Sequence, residues 1–427
     1  MTRTHTPAAP SVFGSRSFRS VFTAAAVSQL GTQVGYLAVP LIGVQALAFD
    51  AGQLGLLATL GTAAFLLIGL PAGAWIDVLG RRPVMVVADL SRALLVGSIP
   101  VATAFGVLSA TQLYLVVFLT GVGTVFFDVS AQSLLPGLVG RQLLTEANTH
   151  LVGMNAVADV SGRSAGGWLV QLLTAPFAVV ADAVSYLASA WFLLRIDTDL
   201  SQRPTVRRAS VRSQIAEGLV FVAGEPLLRA IAVKGMINNL SIQLAVTVLP
   251  LLFVRDLHLS AGVLGGYLAL GGVGVFIGSR LARPLGRRLG QGRASWVAGA
   301  ATAPVAFLVP LIDRDWRLVT AGAAWIVITA KVGVDNVLLT TFRQQVTPDR
   351  LLGRVNATMR FLLTGSLAIG SAVAGVVGQL VSVRAVLCLA AVGLAFSWIP
   401  LFLSPLRRLR VLPTKPDGEA GHKPGDA

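Results

Sequence analysis

Charged residues are scarce in this chain of 427 residues, in which Asp, Glu, Lys and Arg together make up 12%. Ordinary soluble domains carry about 25% charged residues. Hydrophobic residues make up 54%, and the mean hydropathy is +0.75. A soluble protein of this length would divide into two or three domains, and so few charges would not cover their surfaces. The composition therefore excludes an ordinary soluble protein.

Cysteine and histidine are also rare, with one Cys and four His in the whole chain. The single cysteine, Cys388, cannot form an internal disulfide, and the scattered histidines show no metal-ligand spacing. The sequence also lacks the Gly-x-x-x-x-Gly-Lys-Ser/Thr motif that binds nucleotide phosphates, which argues against a chain that pumps with ATP by itself. We therefore expect no metal, no cofactor and no soluble enzyme site.

Apolar runs of about 20 residues follow one another along the chain. Such a run spans a bilayer as a helix, because in lipid the backbone must satisfy its own hydrogen bonds. The sequence thus predicts an all-α integral membrane protein with twelve transmembrane helices. Their predicted centres are Gln33, Phe65, Val96, Gly121, Asp159, Ser185, Leu240, Leu270, Ala303, Val327, Ser366 and Leu394.

Basic residues outnumber acidic ones by 34 to 19, but they lie in short clusters between the apolar runs. For this reason we do not expect binding to nucleic acid. Most of the clusters fall in the tails and in every second loop. By the positive-inside rule those loops are cytoplasmic, which predicts a multi-pass protein of the plasma membrane, embedded in the lipid bilayer, with both termini in the cytoplasm.

The longest polar stretch divides the spans into two groups of six. We predict a cytoplasmic tail over residues 1–16, a six-helix bundle over 17–196, a linker with a helix on the membrane surface over 197–226, a second bundle over 227–404 and a cytoplasmic tail over 405–427. The halves repeat, because Arg19, Pro40 and Gly55 recur 210 positions later as Arg229, Pro250 and Gly265. Parallel repeats of this kind predict two pseudo-symmetric bundles.

A charged, glycine-bearing turn lies between the second and third apolar runs, with the sequence Gly73-Ala-Trp-Ile-Asp77-Val-Leu-Gly80-Arg81-Arg82. It resembles the signature loop of the major facilitator superfamily, which joins the second and third membrane helices. The residues that match the family pattern are Gly73, Asp77, Gly80, Arg81 and Arg82, whereas Val78 replaces its usual Arg. A candidate repeat of Gly80-Arg81-Arg82 is Gly286-Arg287-Arg288.

This resemblance implies a transporter whose loop is a gate at the cytoplasmic side. Asp77 is an anion that suits the positive end of a neighbouring helix. Arg81 is expected to pair with a carboxylate of another span, for which Asp128 in span four is the candidate. The alternative is a solvated turn that only sets the topology.

Span five contains Asp159-Val-Ser-Gly162-Arg163-Ser-Ala-Gly166-Gly167, which resembles the antiporter motif of drug-exporting facilitators. Gly162, Gly166 and Gly167 match the motif and imply close helix packing, whereas Arg163 replaces its proline. Asp159 lies four residues before Arg163, on the same helix face. Ionisable residues inside membrane spans are functional hypotheses by default, so we assign this pair to proton coupling or substrate binding. A purely structural ion pair is the alternative.

Polar residues also occur inside spans one and seven, which line the cavity in this superfamily. Gln33 lies in span one, and Lys234 and Asn238 lie in span seven. The resemblance implies that these side chains face the central path and contact substrate or couple protons. Hydrogen bonds between helices, without a transport role, are the alternative.

Three further stretches are similar to bacterial exporters of the macrolide-efflux and siderophore-export type: Pro71-Ala-Gly73, Leu134-Leu135-Pro136 and the segment 347–356. The resemblance implies a monomeric transporter that works by alternating access and exports a drug, siderophore or other small hydrophobic metabolite in exchange for protons. The alternatives are an uncoupled facilitator or importer of a small metabolite, and a membrane sensor or scaffold that transports nothing.

Overall fold

Helices make up nearly all of the described part of the chain, which in this computed structural model comprises residues 12–69, 71–196 and 211–408. No strand occurs within these ranges. Eleven helices in them are long and apolar enough to cross a membrane.

The first half contains seven helices, and one of them forms two spans. α5 breaks at Gly140, whose φ of 71° and ψ of 165° are not helical, into the segments Ala110–Gly140 and 141–173. The helices are α1 (Arg16–Ala46), α2 (Ala51–Ile68), the short α3 (Ala72–Leu79), α4 (Arg81–Ala104), α5 (Ala110–Leu173), α6 (Ala175–Ala178) and α7 (Val180–Leu194). α6 and α7 together form one span.

The second half contains α8 (Val211–Gly224), α9 (Pro226–Pro250), α10 (Ala261–Leu289), α11 (Gln291–Ala306), α12 (Trp316–Val346), α13 (Asp349–Leu380), α14 (Val383–Phe396) and α15 (Ile399–Leu403). α9 continues through a π-helical turn, Leu251–Asp256, and α14 with α15 forms one span. Segment 141–173, which carries charged residues, is a twelfth helix of membrane length beside the eleven apolar ones. Every predicted span centre lies in a helix, so the predicted twelve-span fold is confirmed.

The internal repeat is visible in the caps of the helices. Asp50 caps α2 and Ser260 caps α10, 210 positions later. Gly80, which ends α3 with φ 86° and ψ 138°, is matched by Gly290, which ends α10 with φ 87° and ψ 142°. A positive φ favours glycine, so this pair marks the equivalent turn. The predicted partner Gly286 is wrong, because Gly286 lies inside α10.

The segment predicted as a tight turn also contains a helix, because α3 precedes the bend at Gly80. Ala72 and Ile76 lie four residues apart on its buried face, and they pack with Val125 of α5. Residues at this spacing share one side of a helix. The run 72–79 therefore has enough apolar residues on one side to fold as a helix before the chain turns.

The linker helix α8 packs on the second half through its last turns. A Cβ at Gly218 would lie 2.9 Å from the carbonyl oxygen of Arg354 in α13, and the Arg354 guanidinium forms an ion pair with Glu217. Val222 is buried against Val355 and Leu228. Residues 197–210 of the predicted linker lie outside the described residues.

The outer surface of the bundle exposes large apolar side chains, including Leu94, Leu172 and Leu380, which are 74–78% exposed. Contiguous apolar surface of this extent is unusual for a protein in water. It matches the hydrocarbon core of a bilayer.

Successive spans alternate in direction, so the end of the bundle where α1 begins also carries Arg81, Arg82, Arg287, Arg288 and Arg343. We call this end the basic face and the other end the opposite face. Seven clusters of buried apolar residues occur in the described chain, and one of them contains residues of both halves. That cluster lies at the opposite face and includes Leu41, Leu249 and Phe253. The halves are therefore sealed at the opposite face, and among the described residues no buried apolar cluster joins them toward the basic face.

Two glycine pairs allow the halves to approach closely near the sealed end. α2 crosses α13 at Gly55 and Gly375, and α5 crosses α10 at Gly167 and Gly265. A Cβ at Gly265 would lie 2.9 Å from the Cα of Gly167, and one at Gly375 would lie 3.1 Å from the Cα of Gly55. The crossings are equivalent in the repeat, and each brings backbone against backbone.

Candidate functional site

Four charged side chains lie at mid-depth and are partly exposed: Asp128 (45%), Arg360 (43%), Asp159 (37%) and Arg163 (29%). Charges at this depth of a membrane protein face the bundle interior or a water-filled cavity. Tyr36 of α1 is 65% exposed and lies within electrostatic range of Asp128, Asp159 and Arg163. These five residues therefore line one water-accessible space between the halves, which we call the central crevice.

Asp159 and Arg163 lie together on one wall of the crevice, whereas Gln33, which was expected to face the path, is buried behind them at 5% exposed. The Arg163 guanidinium lies 2.7 Å from the Asp159 carboxylate, as expected for residues four apart on a helix. Arg163 Nε also donates to Gln33 Oε1 of α1 at 3.3 Å. Gly162 allows this contact, because a Cβ there would lie 2.6 Å from the Gln33 Cβ.

The second half repeats this arrangement without the charge. Gln243, 210 positions after Gln33, donates from Nε2 to the Ser371 hydroxyl at 3.0 Å. Ser371 lies 208 positions after Arg163, and Gly370 packs against Gln243 as Gly162 packs against Gln33. The glutamine contact therefore belongs to the shared scaffold, whereas the Asp159–Arg163 pair belongs to the first half alone.

The other two motif glycines of span five also lie at helix contacts. A Cβ at Gly166 would lie 3.1 Å from the Cα of Val34 in α1, and Gly167 meets α10 at the crossing described above.

Asp128 and Arg360 form an ion pair of 3.8 Å that joins the two halves across the crevice. The Arg360 guanidinium also lies 4.5 Å from the centroid of the Phe65 ring in α2. The predicted pair of Arg81 with Asp128 is not formed among the described side chains. The reason is depth: Asp128 precedes the helix break at Gly140 by twelve residues, or about 18 Å.

Arg82 braces the basic end of the first half. Its Nε and Nη2 donate to the carbonyl oxygens of Leu193 (3.0 Å) and Leu194 (2.6 Å) at the end of α7. Arg293, just after the equivalent turn in the second half, donates to the carbonyl oxygen of Arg407 at 3.2 Å. Helix ends leave carbonyl oxygens without partners, so each arginine secures the last helix of its own half. The structure describes Gly73 and Asp77 as part of the α3 backbone only, and it does not describe their contacts.

Lys234 and Asn238 do not face the crevice, because each is 4% exposed inside the second half. Lys234 forms an ion pair with Asp335 of α12. Lys331, 3.5 Å from the same carboxylate, donates to Asn238 Oδ1 at 3.1 Å and to the Ser397 hydroxyl at 2.9 Å. The sequence contained one signal for this cluster, the four-residue spacing of Lys331 and Asp335.

The first half also contains a buried charged cluster that the predicted site did not include. Asp89 and Arg92 of α4 form an ion pair, and both are at most 2% exposed. The Arg92 guanidinium lies between the rings of Phe127 (4.7 Å) and Tyr186 (4.3 Å). Their three-residue spacing in the sequence was the available signal.

Comparison with known proteins gives consistent results. The model of a family described as "Transmembrane secretion effector" matches residues 5–419. The chain is 28% identical to the multidrug efflux pump Tap of Mycolicibacterium fortuitum over 91% of this chain and 96% of that protein. It is 26% identical to the enterobactin exporter EntS of Citrobacter koseri over 94% and 95% of the two chains.

Among solved structures, the chain is similar to a bacterial homologue of the iron transporter ferroportin in its inward-facing state. The TM-score is 0.71 at 17% identity, covering 91% of this chain and 98% of that one. At this identity the similarity shows the fold, which is a transporter fold.

Proposed function

Because this chain belongs to the transmembrane secretion effector family of major facilitator transporters, we propose that it is a secondary active exporter that works by alternating access. The observation that carries the proposal is the central crevice, with charged side chains exposed at mid-depth between halves that are sealed at one face. A binding site placed between two similar bundles is what alternating access requires.

The positive-inside rule favours a cytoplasmic basic face, and therefore cytoplasmic termini. With that orientation the described conformation is open to the cytoplasm and closed to the outside. The moving bodies are then residues 17–196 and 227–404, and α8 of the linker 197–226 moves with the second of them. Transport closes the basic face and separates the halves at the opposite face.

We assign substrate contact to the walls of the crevice. Asp159 and Arg163 offer both signs of charge on one wall, where the buried Gln33 holds the Arg163 side chain, and Tyr36 adds an exposed aromatic ring. The similar proteins named above include exporters of drugs and of enterobactin. These features support a small substrate with both polar and apolar parts, such as a drug or siderophore.

The loop from Gly73 to Arg82 is the proposed gate of the basic face. Arg82 is engaged within its own half, which leaves Asp77 and Arg81 as the residues to contact the second half when that face closes. Asp77→Asn is expected to insert normally but to transport slowly. Wild-type turnover in that variant would remove the gate assignment.

Energy is proposed to come from the proton gradient. The test uses purified protein in liposomes, a panel of fluorescent drugs that includes ethidium, and an imposed pH gradient. Uphill movement of a panel compound that stops when an ionophore collapses the gradient supports a proton-coupled exporter. Movement only down its own gradient would indicate a facilitator, and binding without flux would indicate a sensor.

A further inference from the structure

Asp182 of α7 is a buried carboxylate that the proposed mechanism has not used. It lies near the middle of its span and is 4% exposed. Its carboxylate presses against α1, since a Cβ at Gly31 would lie 3.0 Å from Asp182 Oδ1 and a Cβ at Gly35 would lie 2.5 Å from Oδ2. The same helix presents Tyr36 to the crevice, so Asp182 is in direct contact with an element of the crevice.

No cation is paired with Asp182. In the described chain no Lys or Arg nitrogen lies within 4.0 Å of it, and its Oδ1 has no hydrogen-bond partner. Among the described residues, the cation that acts on it electrostatically is Arg92 of α4, whose guanidinium is already bound to Asp89 and lies against two aromatic rings. The cluster thus contains two carboxylates and one guanidinium.

The other titratable groups around Asp182 cannot supply the missing charge. Tyr186 is on its own helix, and Tyr36 is on α1; both are neutral donors. An unpaired carboxylate in an apolar interior is costly, and such a group tends to be neutralised instead. A proton neutralises the carboxylate without needing space of its own, and α1 packs directly against both carboxylate oxygens.

Hydroxyl groups lie between this site and the crevice. The Tyr186 hydroxyl lies 2.9 Å from the Thr32 hydroxyl of α1. Thr32 is one helical turn from Tyr36, whose side chain is exposed in the crevice. Protons therefore have polar side chains to follow between water and the buried carboxylate.

From this geometry we propose that Asp182 is the proton-binding residue of the transport cycle. Asp182 takes up one proton from water when the crevice is open to one side of the membrane. It releases that proton to water when the crevice is open to the other side. Binding neutralises the carboxylate at its contact with α1, and release requires α1 to admit water. The proposal rests on the proton-coupled export proposed above, and it moves the coupling role from Asp159, which already has Arg163 as its partner.

The first experiment is independent of substrate. Infrared difference spectra of the protein in lipid membranes are recorded against pH, to detect the carbonyl stretch of a protonated carboxyl group. The band is expected in the wild type, lost in Asp182→Asn and retained in Asp159→Asn. Absence of the band in the wild type, or its persistence in Asp182→Asn, would overturn the assignment.

The second experiment separates this proposal from the proposed function. If the wild type shows no uphill transport in a pH gradient, proton-coupled export fails as a whole. If the wild type is coupled, Asp182→Asn is expected to keep exchange of labelled ethidium at equal pH and to lose uphill movement. Full coupling in that variant would refute the role of Asp182 alone. Thermal unfolding in detergent confirms that the variant is folded.

Discussion

Gly265→Ala should favour the conformation that is open at the opposite face. The added Cβ would lie 2.8 Å from the carbonyl oxygen of Arg163 and 2.9 Å from the Cα of Gly167. Carbon atoms pack at about 3.5–4.0 Å, so α5 and α10 must separate by roughly 0.6–1 Å. Overpacking of this kind costs about 1–3 kcal/mol.

That cost applies where the two backbones touch, which is the conformation sealed at the opposite face. It is relieved when the halves separate there. A difference of about 1–3 kcal/mol changes the ratio of two conformations by roughly 5- to 150-fold. The substitution should therefore move the population toward the conformation that is open at the opposite face by a factor in this range.

The assay is cysteine accessibility in oriented membrane vesicles. Cys388 is the single native cysteine and is exposed, so it is first replaced by Ser, and Tyr36→Cys then reports on the crevice. With Gly265→Ala, the labelling rate of this cysteine by an impermeant maleimide should rise from the opposite face and fall from the basic face.

The neighbouring glycine provides a matched control. A Cβ at Gly266 would meet nothing within 4 Å, so Gly266→Ala adds the same methyl group to the same helix without a clash. It should label like the parent protein. Equal labelling of the two alanine variants would refute the conclusion that the glycine crossing holds the opposite face closed.

Three other substitutions test the charged contacts by thermal unfolding in detergent. Asp335→Asn leaves two buried lysines without their carboxylate and should lower the free energy of unfolding by about 3–5 kcal/mol. Adding Lys234→Met should restore much of that loss. Wild-type stability of the single variant would contradict the buried cluster. Arg82→Ala removes two charge-assisted hydrogen bonds, each worth about 1.5–3 kcal/mol. It should lower the unfolding temperature more than Arg293→Ala, which removes one. An equal effect would contradict a stabilising role for the contacts of Arg82 with the end of α7. Arg360→Gln breaks a half-exposed pair and should change stability by less than about 1 kcal/mol, so a larger loss would show that the pair holds the halves together.

The number of spans was readable from the sequence because each crossing requires its own long apolar run. Contacts within one helix were readable as well, and Asp159 with Arg163 is the example. Contacts between residues on different helices could not be predicted, because they depend on how each helix is rotated about its axis and on how deep in the membrane each residue lies. Asp128 was assigned to Arg81, but its depth places it beside Arg360.

The repeat shows the same limit. An offset of 210 was visible from several residues, yet the partner of Gly80 was placed at Gly286, where the letters Gly-Arg-Arg recur. The backbone identifies Gly290 instead, since the conserved feature is a positive φ rather than the arginines that follow. Similarly, the sequence predicts that Lys234 and Asn238 face the central path, whereas packing against α12 buries both of them inside the second half.

The contact of α8 with α13 determines to which of the two halves the linker helix belongs. Because Glu217 and Gly218 contact Arg354, α8 belongs with the second half, and in the proposed cycle the division between the moving parts comes before residue 211. A protein produced as two separate polypeptides, cut between residues 196 and 211, should reassemble with α8 on the C-terminal piece. A cut placed after α8 would instead leave α8 on the N-terminal piece and separate it from α13, against which it packs.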